Sequence, residues 1–213
     1  MRLIPAVVPR LDVLNVPREA ERQLGLATDP RQRAILTNFR RHAMLEVSGR
    51  WPEILDPDLT VPHPVYRIAE GDNTAVFDGH DAVAGFYRTM TDAGLNVLVP
   101  LTERIAVADW GLAIESLLGQ IIPGALMKPA MGEDVDDLDA HYLVTHKVAN
   151  IWPYDEDVRL LGEHVYVDRA SREVHRMDPA DVVTPQQAAD LLAPLLDTPI
   201  DVGVTPALLP EIS

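Results

Sequence analysis

The first half of the chain has apolar residues at helical spacing. Asp29 and Pro30 supply an N-cap and a first-turn proline, and apolar positions then recur every three or four residues as far as Gly49. This pattern predicts a helix over about 30–48. Three further helical segments are predicted at about 17–24, 51–55 and 79–90.

The second half has the two-residue period of β-strands. Four β-branched segments follow Asn96, namely NVLVPLTERIAVAD, WGLAIESLLGQII, HYLVTHKVANIW and VRLLGEHVYVD. An earlier segment, LTVPHPVYRI, is interrupted by Pro62 and Pro64, which is typical of a bent or edge strand. The loop over 119–141 is long and acidic, and predicts a lid or a mobile insert. Helices followed by an antiparallel meander indicate an α+β fold.

The length of 213 residues fits one domain with extensions. Residues 1–28 contain Pro5, Pro9 and Pro17 and predict an extended N-terminal arm that packs on a partner subunit. The domain itself is expected over 29–182. A C-terminal helix and tail are expected over 183–213, since a threonine and a proline precede an apolar helical segment there.

Composition narrows the classes of ligand. Hydrophobic residues make up 47% of the chain and the formal net charge is -15, so a packed core is expected and binding to nucleic acid or anionic lipid is disfavoured. The expected ligand is a small hydrophobic molecule, neutral or cationic. The chain has no cysteine, which excludes disulfides and thiolate chemistry and suits the cytoplasm. No apolar run is long enough to span a membrane.

Three segments carry a resemblance to a known family: LTVPHPVYRI, FDGHDAVAGFYRTM and LLGEHVYVD. Together with the order of elements, they resemble the nuclear-transport-factor-two-like superfamily, also called SnoaL-like or ketosteroid-isomerase-like, over roughly residues 30–180. The resemblance implies a cone-shaped, curved antiparallel sheet with helices packed on its concave side. It also implies a ligand pocket, a homodimer and chemistry without a cofactor.

The same resemblance suggests site residues. The TVPHPV segment is similar to the strand of bacterial ketosteroid isomerase that carries its catalytic aspartate, and His63 falls at that position. His42 falls near the oxyanion-hole tyrosine of that enzyme, and Asn150 falls near its second oxyanion donor. Glu163 falls on a pocket-lining position of the last strand. These four residues are the catalytic candidates, although none keeps the residue type of the isomerase.

The residues themselves support these candidates and leave alternatives open. A rigid backbone between two prolines aims the side chain of His63, which acts as a general base or is a hydrogen-bonded core histidine. Glu163 alternates with Val165 and Val167, so it requires a partner: a catalytic histidine, or an arginine or tyrosine in a structural bond. His42 and Glu46 continue the apolar stripe of Phe39 and are expected to face inward, or else form a helix-surface pair.

Further candidates for substrate binding come from strand alternation and aromatic character. His146 and Asn150 share one face of their strand. That face lines the pocket, or it is the outer face through which a dimer forms. Tyr66 and Glu115 contact substrate, solvent or an interface. No metal site is predicted, because no short pair of histidines occurs at ligand spacing. The substrate-binding candidates are Phe39, Glu46, Tyr66, Glu115, His146 and Trp152.

Two functional hypotheses follow. The first is a cofactor-independent acid/base enzyme acting on a hydrophobic carbonyl compound, as an isomerase, dehydratase, cyclase or hydrolase. The second is a non-catalytic small-molecule-binding or accessory protein that uses the same pocket. An enzyme requires a histidine and a glutamate within hydrogen-bond reach beside a cavity.

Overall fold

A computed structural model describes residues 9–198 of the chain. It contains a six-stranded sheet in the order β2-β1-β6-β5-β4-β3. The strands are β1 (Val65–Glu70), β2 (Asn73–Asp78), β3 (Leu98–Ala108), β4 (Gly111–Pro123), β5 (His141–Pro153) and β6 (His164–Arg176). The helices are α1 (Arg18–Leu24), α2 (Pro30–Val47), α3 (His80–Asp92), α4 (Gly124–Leu126) and α5 (Pro185–Asp197), with short turns of other helix types at Val13–Asn15, Trp51–Leu55, Met127–Met131 and Pro179–Asp181.

The longest helix, α2, forms for the reasons visible in the sequence. The side chain of Asp29 accepts a hydrogen bond from the backbone N–H of Gln32, and Pro30 occupies the first turn. The buried face includes Ile35, Leu36 and Phe39, whose apolar side chains cover the sheet. The predicted helix over about 30–48 is therefore present with nearly the expected ends.

Strands β3, β4, β5 and β6 pair antiparallel in chain order, as the meander predicts. Strand β6 then pairs in parallel with β1. The hairpin of β1 with β2 is not predicted by the sequence analysis; its turn uses Gly71 at a φ of 58°. The expected fold class is confirmed: a curved, largely antiparallel sheet carries helices on its concave side.

Alternation along the strands decides which residues face the helices. On β4 the even-numbered residues Leu112, Ile114 and Ser116 are buried, whereas Glu115 is exposed. Cross-strand pairing places Ser116 opposite Glu103 on β3 and opposite Val148 on β5. Even positions of β4 and β5 therefore share the concave face with the odd positions of β3 that follow its bulge between Pro100 and Thr102.

Both flanking segments contribute to the same core. Between residues 9 and 28 the chain forms a short turn and α1, and it buries Val13, Val16, Ala20 and Leu24 against its own domain. Helix α5 begins at the predicted threonine cap and buries Leu192 in the same cluster. The described part of the predicted arm thus packs on its own chain. The first eight residues of that arm and the tail after residue 198 lie outside the described residues.

The segment predicted as a lid or a mobile insert contains α4 and the turn Met127–Met131. Met127 is fully buried in a small second cluster. The guanidinium of Arg172 donates to the carbonyl of Met131 at 2.9 Å, which ties this segment to β6. Within residues 9–198, no helix combines the length and the apolar character that crossing a membrane requires.

Candidate functional site

A cavity of about 180 Å³ lies between helices α2 and α3 and the concave face of the sheet. Most of its wall is apolar, as small-molecule pockets usually are. No Lys, Arg or His among the described residues lines it. The polar and charged side chains in the wall are Glu46, Glu103, Ser116, Gln120, Asn150 and Glu163.

Glu163 connects the cavity to a buried hydrogen-bonded network. The Tyr87 hydroxyl donates to Oε1 of Glu163 at 3.1 Å, and Nε2 of His42 lies 3.1 Å from the same oxygen. His42 Nε2 also lies 2.8 Å from the Tyr87 hydroxyl, which is 3.1 Å from the hydroxyl of Tyr66. Only Glu163 of these four lines the cavity, so the other three form a layer behind it.

The number of protons in this network restricts its arrangement. A tyrosine hydroxyl has one proton to donate, so when Tyr87 donates to Glu163 it acts only as an acceptor for His42 and Tyr66. Nε2 of His42 must then carry a proton. The other ring nitrogen, Nδ1, is buried and has no partner among the described residues. The N–H of His42 thus donates to the Tyr87 hydroxyl, which in turn donates to Glu163, so His42 fixes the carboxylate through Tyr87.

Glu46 is the second carboxyl group at this end of the cavity. It lines the wall, and no described residue forms a hydrogen bond with its carboxyl group. Burial, followed by the negative charge of Glu163, raises the pKa of Glu46 to about 8. At neutral pH Glu46 therefore carries a proton beside the charged Glu163.

Local structure explains how the two carboxyl groups meet. Phe39, His42 and Glu46 lie three and four positions apart on α2, so all three face the sheet. Glu163 comes directly before β6, and its carbonyl accepts a hydrogen bond from the N–H of Arg67 at 2.7 Å. At Gly162 a Cβ atom would lie 1.9 Å from the carbonyl oxygen of Val65. Only glycine permits this approach, which sets the position of Glu163 against β1.

Aromatic side chains hold this end of the cavity rigid. The ring of Trp152 contacts Phe39 edge-on at 5.0 Å and His42 at 4.6 Å between centroids. Trp51 stacks on Tyr87 at 6.4 Å. The indole N–H of Trp152, which also lines the cavity, is buried and has no hydrogen-bond partner among the described residues.

The structure does not bring His63 to the cavity. Its side chain is 73% exposed, and Nε2 lies 2.8 Å from a carboxylate oxygen of Asp78. The strand begins only at Val65, because Pro62 and Pro64 lack the N–H groups that strand pairing uses. The expectation that the two prolines aim His63 into the pocket therefore fails on geometry.

The other candidates divide between the cavity wall and the outer face of the sheet. Asn150, Phe39, Glu46 and Trp152 line the cavity together with Glu163. Glu115 lies on the outer face, where it pairs with Arg104.

Two candidates are buried without reaching the cavity. Tyr66 lies behind Glu163, where its hydroxyl joins the network around Tyr87. His146 is also outside the lining, and burial together with the charge of Arg172 lowers its pKa.

Several polar residues of the site are not among the candidates that the sequence supplies: Tyr87, Glu103, Ser116 and Gln120. For Tyr87 the signal is that Val83 and Tyr87 form the buried stripe of α3, and a buried tyrosine requires a polar partner. Glu103 shares strand parity with the buried Ile105, which is the signal that could have identified it. No group of three or more His, Asp or Glu residues in the described range has the geometry of a metal site.

Comparison with known proteins adds little. No protein-family model matches the chain, and no curated protein matches it. One solved structure that aligns with it belongs to the epoxide hydrolase/cyclase-like enzyme SalBIII, described for its role in pyran ring formation in the polyether salinomycin. The TM-score is 0.40 at 11% identity, over 64% of this chain and 96% of that chain.

Proposed function

We propose that the chain is a cofactor-independent acid/base enzyme that acts on a hydrophobic carbonyl compound within the cavity. One observation carries this proposal: two carboxyl groups, Glu46 and Glu163, line the same mainly apolar cavity, and only Glu163 has a hydrogen-bond partner among the described residues. Burial and the charge of Glu163 raise the pKa of Glu46 to about 8, so one group donates a proton at neutral pH while its neighbour accepts one.

In this scheme Glu163 is the general base and Glu46 is the general acid. Glu163 removes a proton from the carbon next to the substrate carbonyl, and the electron pair of that C–H bond forms a C=C bond. Glu46 donates its proton to the carbonyl oxygen, which yields a neutral enol. In an unsaturated ketone, Glu163 returns its proton to the γ-carbon while Glu46 takes back the enol proton and the C=O re-forms, which gives an isomer. In a β-hydroxy ketone, Glu163 gives its proton to the departing hydroxyl group, which leaves as water while Glu46 takes back the enol proton.

His42 and Tyr87 act as positioning residues rather than catalytic ones. The Tyr87 hydroxyl donates to Oε1 of Glu163 at 3.1 Å, and Nε2 of His42, which lies 2.8 Å from that hydroxyl, holds Tyr87 in place.

The proposal is tested by proton exchange, which needs no knowledge of the product. We would incubate a panel of hydrophobic ketones and enones with the protein in D₂O and follow exchange of the α-protons by NMR. Replacing Glu163 with glutamine is expected to reduce the exchange rate by about 10²-fold or more, since a positioned base contributes that much. The matched control is Glu156→Gln, which removes an exposed carboxylate.

The competing hypothesis is a non-catalytic carrier, which the mainly apolar wall also suits. Saturation binding of a ketone without any exchange, and with equal affinity in Glu163→Gln, would establish the carrier and exclude the enzyme. Exchange that is lost with Glu163 establishes the enzyme.

We also propose a cytoplasmic homodimer formed through the outer face of the sheet. Ala149 and Tyr166 are exposed and directly paired on that face, and Tyr166 is 53% exposed. Sedimentation of the wild-type chain at twice the monomer mass, and at monomer mass for Ala149→Arg, is the expected result. A wild-type monomer at all concentrations contradicts the dimer.

A further inference from the structure

Glu103 is a cavity residue that the proposed reaction does not use. It lies on β3, and its Oε2 atom is buried without a hydrogen-bond partner among the described residues. The charged neighbour that affects it is Glu19 on α1, whereas Glu46 is affected by Glu163. Glu103 therefore occupies a different part of the cavity from the Glu46–Glu163 pair.

Ser116 lies directly across from Glu103 in the register of β3 and β4. It is only 5% exposed and lines the cavity, and no described residue forms a hydrogen bond with its hydroxyl. Directly opposed side chains on one sheet face have Cβ atoms about 5 Å apart, close enough for both to contact one ligand atom. A buried polar group without a hydrogen-bond partner costs free energy of folding, and a bound ligand that supplies the partner removes that cost.

The charges around this position favour a cation. The cationic side chains near it are already engaged: Arg22 pairs with Glu19, and Arg104 pairs with Glu115 on the outer face. Lys147, also near Ser116 along the sheet, is exposed on that outer face. Glu103 thus faces the cavity with an acceptor and no counter-charge among the described residues that line it.

We propose that Glu103 and Ser116 form a subsite for a protonated amine, so that the preferred ligand is an apolar molecule bearing an ammonium group. The ammonium donates to the carboxylate of Glu103 and to the hydroxyl oxygen of Ser116, while the apolar part extends through the cavity toward Glu163. As a statement about the substrate, this inference rests on the function proposed for the Glu46–Glu163 pair. As a statement about binding, it is independent of turnover.

The protonation of Glu103 gives the subsite a pH signature. Burial, followed by the charge of Glu19, raises the pKa of Glu103 to about 8. An ammonium ion must therefore displace a proton when it binds at neutral pH. Since an alkylammonium keeps its own proton up to about pH 10, affinity is expected to rise by up to about tenfold per pH unit between pH 6 and 8.

The test uses 2-phenylethylamine as the probe and 2-phenylethanol as its neutral counterpart, with binding measured by calorimetry at pH 6, 7 and 8. Wild type is expected to bind the amine more tightly than the alcohol at pH 8 and to release a proton on binding at pH 7. Glu103→Gln is expected to weaken amine binding by about 10- to 100-fold, because a charge-assisted hydrogen bond is lost, and to remove the pH slope. Circular dichroism shows whether each variant is folded. Glu103→Met replaces the carboxyl group with an apolar side chain of similar length, so loss of amine binding in a folded Glu103→Met protein is a loss of the subsite and not of the fold.

Glu46 also has a raised pKa, so Glu46→Gln tests whether the slope comes from the catalytic pair instead. Glu156→Gln, which removes an exposed carboxylate, is the control that should keep both the amine preference and the slope. A slope that disappears in Glu46→Gln and persists in Glu103→Gln would overturn the proposal by placing the cation at the catalytic pair. Equal binding of amine and alcohol would also overturn it, while leaving the proposed reaction intact. Loss of proton exchange in Glu163→Gln with unchanged amine binding would support both.

Discussion

Replacing Glu46 with glutamine should stabilise the protein, and the gain should depend on pH. The unfolded chain holds Glu46 at a pKa near 4.5, whereas burial and the charge of Glu163 raise the folded-state pKa to about 8. Between these values the folded state binds the extra proton, so stability falls as pH rises and levels off above pH 8. The shift corresponds to about 5 kcal/mol in full, and about 2 to 5 kcal/mol where water enters the cavity to solvate the carboxylate.

The assay is urea denaturation of wild type and Glu46→Gln at pH 5, 7 and 9. The two proteins should have similar free energies of unfolding at pH 5, and the variant should be more stable by the stated amount at pH 9. Taking the difference between the two proteins cancels the other titrating groups that they share. Glu156→Gln removes an exposed carboxylate and should show no such trend. A stability difference that stays constant from pH 5 to pH 9 would refute the buried proton on Glu46, and with it the general acid.

Three other substitutions test the geometry of the site. Tyr87→Phe removes a donor to Glu163 and should lower kcat by about tenfold with little change in KM, measured on whichever ketone exchanges. Gly162→Ala places a Cβ atom 1.9 Å from the carbonyl oxygen of Val65 and should destabilise the fold by at least about 2 kcal/mol in urea denaturation. His63→Ala breaks only an exposed pair with Asp78 and should leave turnover within about twofold and stability within about 1 kcal/mol; a large loss of turnover would return His63 to the site.

Periodicity predicted most of the elements because the core follows it closely. The helical spacing after Asp29 and the strand spacing after Asn96 each mark one buried face, and burial of that face is what holds α2 and β3 to β6 in place. The inward direction of Glu46 followed from the same argument. A partner for Glu163 was expected among His, Arg and Tyr, and the structure supplies His42 and Tyr87.

The parts that sequence did not predict depend on distances between elements. The contact of Tyr87 with Glu163 joins residues 76 positions apart, and no local pattern encodes it. His63 was favoured because prolines restrict the backbone, but they also end the strand before it can direct that side chain inward. Glu103 is not among the sequence candidates, although its parity with the buried Ile105 indicates that it faces inward.

Buried charged side chains elsewhere in the chain have oppositely charged partners, which argues that the unpartnered carboxyl groups of the cavity serve a ligand. The side chain of Arg172 is 5% exposed and pairs with Glu70, and Arg40, at 8% exposure, pairs with Glu21. Each of these buried guanidinium groups thus has a carboxylate counter-charge, as buried charges require.

Glu46 and Glu103 receive no such partner from the described residues, and each holds a proton whose loss would destabilise the fold above neutral pH. A glutamine or leucine would fill the same space without that cost. Carboxyl groups left in this state are useful only when a bound molecule exchanges protons or donates hydrogen bonds to them. For Glu46 the bound molecule is the substrate from which Glu163 removes a proton, and for Glu103 it is a cation.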